Sequence, residues 1–218
     1  MFPEQPILAK APLPLLPQPL AGIMKPVNIA LKEWAVVIEA LARGKQRFLL
    51  RKGGIAEGKR GFEVKHREFL FYPTWEHQQI ESVRPEFHEL FEQTRPRQPA
   101  VVRFRYLAKV TDILQAPPVL EAMPPLESDH IWTPAYLEMR YRYRPERPLF
   151  ILFVRLYGLE TERKIPENRR YGGCRSWVTL DEEIEAGGAA PVEPDGSFES
   201  ARKSLIGKLL TQQARPLA

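Results

Sequence analysis

The stretch Asn28-Ile29-Ala30-Leu31-Lys32-Glu33-Trp34-Ala35-Val36-Val37-Ile38-Glu39-Ala40-Leu41-Ala42-Arg43-Gly44, followed by Gln46-Arg47-Phe48-Leu49-Leu50-Arg51-Lys52-Gly53-Gly54, sets the fold class. Leu31, Trp34, Ala35, Ile38 and Leu41 recur at intervals of three and four, the period of one helical face. Asn28 can accept hydrogen bonds from the first free amides, so the pattern predicts a helix over 29–43 that Gly44 stops. Gln46 to Leu50 then predicts a strand, ending in two cations and two glycines.

Working outward, Phe69 to Tyr72 is a short apolar strand that Pro73 ends, and Thr74 is placed to cap a short helix carrying Trp75 to Gln78. Pro85 opens a second helix whose face is Phe87, Leu90 and Phe91. From Ala100 to Leu114, Val102, Phe104 and Tyr106 alternate with Arg103 and Arg105, which predicts one long or two shorter strands with a bend near Ala108. Thr133-Pro134 starts a helix running to about Tyr143, and Phe150 to Tyr157 is apolar enough for a strand buried on both faces. Ser176 to Leu180 completes the strands and Ser197 to Leu210 forms a terminal helix. This order is too irregular for a doubly wound parallel sheet. It predicts an α+β domain whose mixed or antiparallel sheet curls towards a barrel.

The 218 residues carry 32 lysines and arginines against 27 acidic residues, a net charge of +5. Hydrophobic residues at 44% and charged residues at 27% exclude wholesale disorder. The longest apolar run, Leu149 to Val154, is cut by Arg155 and is far too short to span a bilayer, so a soluble, cytoplasmic protein with no membrane partner is expected. One cysteine, Cys174, excludes a disulfide framework, and the four histidines show no ligand spacing, so no metal is expected. No glycine-rich cofactor fingerprint or phosphate loop appears, and no cofactor is expected. Proline is the outlier, with 22 residues, and 7 of them fall in residues 1–27. That segment predicts a disordered extension, with Met24 as a possible true start; 28–212 predicts one globular domain and 213–218 a disordered tail.

Four constellations carry possible chemistry. Arg51-Lys52-Gly53-Gly54 offers two cations beside backbone that an anion can approach closely. Tyr72-Pro73-Thr74-Trp75-Glu76-His77-Gln78 concentrates polar and aromatic groups just after a strand; there Glu76 and His77 could exchange protons, or Glu76 or Gln78 could read a base edge. Glu63-Val64-Lys65 matches half of a metal-dependent nuclease site, without a convincing second carboxylate. Arg140 to Arg144, with Arg155, Arg169, Arg170, Tyr171 and Arg175, interleaves cations with rings as nucleic-acid surfaces do, although arginines ending a helix also complement its dipole. Arg155, inside an apolar strand, requires a carboxylate or anionic partner, whether structural or a ligand.

Ala30 to Leu41 with Gly44-Lys45-Gln46 and Leu50 to Ile55, then Phe69 to Gln78, His130-Ile131-Trp132-Thr133, Leu156-Tyr157 and Tyr171 to Trp177, resemble the bacterial domain-of-unknown-function family eighteen-zero-two. The resemblance covers roughly 28–210 and implies no established activity. Ala40-Leu41-Ala42-Arg43-Gly44-Lys45 leading to Leu50-Arg51 is also similar, more loosely, to the ASCH and PUA-like superfamily, which implies a small barrel binding RNA or modified bases. The resulting expectation is a module binding RNA or a nucleotide, with Arg51, Lys52, Gly53 and Gly54 on phosphate. Tyr72, Thr74, Trp75, Glu76, His77 and Gln78 would line the pocket, with Arg155 a further possible contact. A metal-dependent nuclease or hydrolase using Glu63, Glu76 and His77, and an interaction protein using the proline-rich arm, are the alternatives.

Overall fold

The computed structural model describes residues 25–52, 64–95, 100–122, 129–173, 175–211 and 215–216. The proline-rich 1–24, Gly53, Gly54, Glu63, Cys174 and most of the tail lie outside the described residues.

The opening segment departs from its predicted helix. Val27–Trp34 is strand β1, and only Ala35–Ala42 forms helix α1. Sheet pairing overrides the three-and-four repeat, because β1 is held on both edges. It runs parallel to β3 (Glu68–Thr74) and antiparallel to β6 (Trp177–Ile184). Ala30 and Leu31 are both fully buried, on opposite faces of the sheet. Asn28 therefore lies within the strand and caps nothing. The predicted stop does hold: Gly44 takes φ +64°, the Gly44 amide donates to Leu41 O and Lys45 N to Ala40 O, closing the helix in a Schellman turn.

The rest of the frame is β2 (Phe48–Arg51), α2 (His88–Gln93), β4 (Val101–Gln115), α3 (Pro134–Arg142), β5 (Phe150–Pro166), β7 (Ala190–Pro191), α4 (Asp195–Thr211) and β8 (Arg215–Pro216). The order across the sheet is β2-β5-β4-β3-β1-β6, with β7 beside β5 and β8 beside β4. Among the described residues only β1 and β3 pair in parallel, so the sheet is mixed and the class is α+β, as expected. Among the described residues no ladder joins β2 to β6, and the sheet stays open.

The predicted 100–114 strand is one long element whose register with β5 shifts twice, between Phe104 and Tyr106 and between Val110 and Asp112. Each shift adds bend and twist and exchanges the faces that alternate residues occupy. Val102, Phe104 and Leu107 accordingly pack with Leu70 and Tyr72 on one side, while Ala108 and Val110 pack with Phe69, Phe71 and α1 on the other. The apolar run Ile151 to Val154 lies fully inside, as its composition predicts.

Two buried cations serve the frame. Lys52, 3% exposed, donates to Arg140 O (3.2 Å) and Tyr141 O (2.6 Å), the free carbonyls ending α3, where positive charge complements the helix dipole. At the other end of α3 Thr133 accepts from Tyr136 N, the cap that Thr133-Pro134 announces. Arg155, 5% exposed, donates to Glu193 O and to Asp195 (2.7 Å) and lies 4.7 Å over the Phe198 ring, fastening the start of α4 onto β5.

Arg155→Met keeps the bulk and loses these bonds, so denaturant unfolding should show a loss of about 2 kcal/mol; an unchanged midpoint would contradict that role. Tyr72 gives a pH test. Burial, reinforced by Glu167, Glu76 and Tyr171, pushes its phenol well above the ordinary value. The unfolded chain ionises near pH 10, so beyond it the unfolded state binds fewer protons and stability falls as pH rises. Tyr72→Phe removes that term: its stability relative to the parent should climb above about pH 10, by up to roughly 1.4 kcal/mol per unit. A constant offset would contradict it.

Candidate functional site

Parallel pairing places the carboxyl ends of β1 and β3 together, with Trp34 opposite Thr74. Both chains turn there, one into α1 and the other into the segment Trp75 to Gln78. That segment is a turn, closed by Gln78 N donating to Trp75 O (3.2 Å), and the predicted helix is absent. The reason is local: His77 sits at φ +59°, a left-handed conformation that cannot propagate a right-handed helix. Thr74 Oγ1 still accepts from Glu76 N (3.3 Å), and Gln78 Oε1 accepts from Val36 N (3.4 Å), tying the turn to the first turn of α1.

The third wall comes from β2, at the far end of the sheet. Arg51 reaches across the open seam and donates to Lys32 O (2.7 Å) and Glu33 Oε2 (2.8 Å) on β1. Both partners are largely buried, with side chains 14% and 12% exposed. Over this seam lies a cleft of about 610 Å³ that collects Arg51, Thr74, Glu76 and His77 with Lys32, Glu33, Trp34, Trp132, Tyr136, Arg140, Tyr143 and Arg175.

Aromatic rings line the cleft. Trp132 stacks on Tyr136 at 4.3 Å, and Trp34 meets both, at 5.6 and 5.5 Å. Trp132 is 3% exposed, yet its indole Nε1 has no hydrogen-bond partner among the described residues; the same holds for Arg140 Nε. A buried donor without a partner costs stability of order 1–3 kcal/mol unless something else accepts from it. The cations Lys32, Arg51, Arg140 and Arg175 outnumber the carboxylates Glu33 and Glu76, so the cleft carries net positive charge.

Other predicted residues fall elsewhere. Tyr72 is 4% exposed and packs edge-on against Phe104 and Tyr171 beneath the sheet. Trp75 turns to the opposite side of its strap, into a second cavity, with Nε1 donating to Thr94 O (2.5 Å). Gln78 supports α1, Lys52 ends α3, and Arg155 anchors α4, none of them lining the seam cleft. Arg140 and Tyr143 of the arginine–tyrosine run enter the cleft; Arg142 pairs outside with Glu138, and Arg170 with Asp181. Among the described residues no group of three or more His, Cys, Asp or Glu could hold a metal. No helix of the described residues is long and apolar enough to cross a membrane.

Sequence reasoning missed Trp34, Trp132, Tyr136 and the Arg51–Glu33 pair as parts of one site. The available signal was partial: Thr133 as cap sets Trp132 and Tyr136 one helical turn apart. Nothing in the pattern announces that Trp34 joins them.

In overall shape the chain is similar to a single-residue mutant of an ASCH protein from Zymomonas mobilis, with a TM-score of 0.42 and 10% identity, covering 72% of this chain and 92% of that one. A second structure of ASCH from the same organism gives a TM-score of 0.41 at 11% identity, covering 84% and 93%. No curated protein matches the chain in sequence. Residues 30–204 match the model described as Domain of unknown function (DUF1802), and the chain belongs to that family.

Proposed function

We propose that the chain is a binding module for single-stranded nucleic acid, RNA in preference to DNA, and that the seam cleft is its site. The observation that carries this reading is the meeting of Trp34, Trp132 and Tyr136 with four cations in one concave surface. Bases stack on ring faces whatever their identity, and phosphates are drawn to lysine and arginine. The half-buried Trp34 and Tyr136 offer the stacking surface. Arg140, Arg175 and Lys32 flank it where a phosphate–sugar chain would run. Arg51, anchored by Glu33, lends its charge and holds the seam in place. Glu76, exposed on the turn, accepts from a base amino group.

Arg51 therefore keeps its place in the site, with Thr74, Glu76 and His77 from the predicted pocket. Lys52, Tyr72, Trp75, Gln78 and Arg155 support the elements that carry them, and the phosphate role assigned to Lys52 passes to Arg140 and Arg175.

Binding of a fluorescent single-stranded RNA should weaken with salt, log affinity falling by about 0.7 per phosphate neutralised for each unit of log salt. Arg140→Gln with Arg175→Gln should lower affinity and cut that slope by about 1.4, the share of two lost contacts. Trp34→Ala should lower affinity by a factor of about 5 to 100 while leaving the slope alone. An unchanged slope in the arginine variant, or equal affinity in Trp34→Ala, would overturn the assignment. Matched DNA should bind more weakly, since only RNA offers the 2′-hydroxyl.

A further inference from the structure

The strap Pro73 to Gln78 has two sides, and the second side carries a separate cavity of about 350 Å³. Its inner wall is apolar, formed by Ile38 of α1, Phe71 of β3 and the ring of Trp75, which the bond to Thr94 O holds in place. Its rim is ionic, with Arg43, Arg95, Arg103 and Arg105 arranged around Glu39 and Glu162.

Glu39 is the unusual member. It lies among the buried residues of α1, is 8% exposed, and is the one ionisable side chain of that helix. A carboxylate there is tolerated only when paired. Arg105 meets it at 2.5 Å and Arg43 approaches to 3.9 Å. Glu162 accepts from Arg103 (2.7 Å) and lies 3.9 Å from Arg105. The two carboxylates thus orient guanidiniums around an apolar slot. With Glu92 satisfying Arg95 outside the cavity, four arginines face three carboxylates and the rim remains positive. An apolar floor under a positively charged rim suits a flat apolar body ending in one negative charge.

We infer that this cavity is a second ligand site, distinct from the seam cleft, which takes a small planar organic anion: an aromatic ring bearing a carboxylate or a phosphate. The ring lies against Trp75 and Phe71, and the charged group meets Arg43 and Arg95 at the open rim. Arg103 and Arg105 stay with their glutamates and shape the slot. The inference does not rest on nucleic-acid binding, since no described residue lines both cavities.

The probe pair is 4-nitrobenzoate and the neutral 4-nitrobenzamide, both contact quenchers of tryptophan fluorescence. The benzoate should quench saturably and bind about tenfold more tightly than the amide. Trp75→Phe should abolish the quenching, and Trp34→Phe should leave it. Arg43→Gln with Arg95→Gln, both at exposed positions, should weaken the benzoate about tenfold with the melting temperature unchanged and the amide unaffected. Equal binding of benzoate and amide would overturn the inference. So would quenching that survives Trp75→Phe but disappears in Trp34→Phe, which would move the probe to the seam cleft. Titration of the same variants with RNA separates the two sites, because the Arg43 and Arg95 changes should leave RNA affinity intact.

Discussion

The guanidinium of Arg51 joins two strands that no ladder joins among the described residues. β2 and β1 are separated by β5, β4 and β3 in the sheet, yet Arg51 donates to both the Lys32 carbonyl and the Glu33 carboxylate. That contact requires the sheet to curl until its β2 edge faces β1, and the register shifts along β4 and β5 supply the curl. A backbone ladder across this gap would have filled it. An ion pair instead closes the seam at one point and leaves room beside it, so the cleft is a consequence of how the sheet is closed. Since both side chains are mostly shielded from water, removing either would strand a charge, and the geometry is held accordingly.

Parallel pairing of β1 with β3 is the second constraint. It puts two carboxyl ends side by side, so the start of α1 and the strap after β3 must pack together, which Gln78 accomplishes through Val36 N. The end of β3 and the turn that follows send Thr74 and Glu76 to one side and Pro73 and Trp75 to the other, and the left-handed backbone at His77 brings its side chain round to the side of Glu76. One short segment thus serves two cavities of different character: a wide basic cleft walled by rings, and a narrow slot rimmed by arginine–glutamate pairs.

Local signals in the sequence were read where a local interaction decides. Thr133-Pro134 starts α3 because a hydroxyl caps it, and Gly44 ends α1 because only glycine adopts that turn without strain. The 101–115 alternation declared a strand, but its two register shifts depend on the partner and leave no mark in the pattern. Residues 28–34 misled because Leu31 and Trp34 fit a helical face equally well; what decides is pairing on both edges, a non-local fact. The densest predicted run, 72–78, divides in the structure: Thr74, Glu76 and His77 line the seam cleft, while Tyr72, Trp75 and Gln78 support neighbouring elements. The Trp34, Trp132 and Tyr136 cluster required knowing that α3 folds over the end of β1, and sequence distance hides that.

The most direct measurement is ultraviolet crosslinking of the full chain to a uridine-rich single-stranded RNA, with the modified peptides identified by mass spectrometry. Adducts are expected on the peptides holding Trp34, His77 and Trp132 to Tyr136, all at the seam cleft. Adducts confined to peptides remote from that cleft, such as those of α4, would contradict a nucleic-acid site at the Arg51–Glu33 seam.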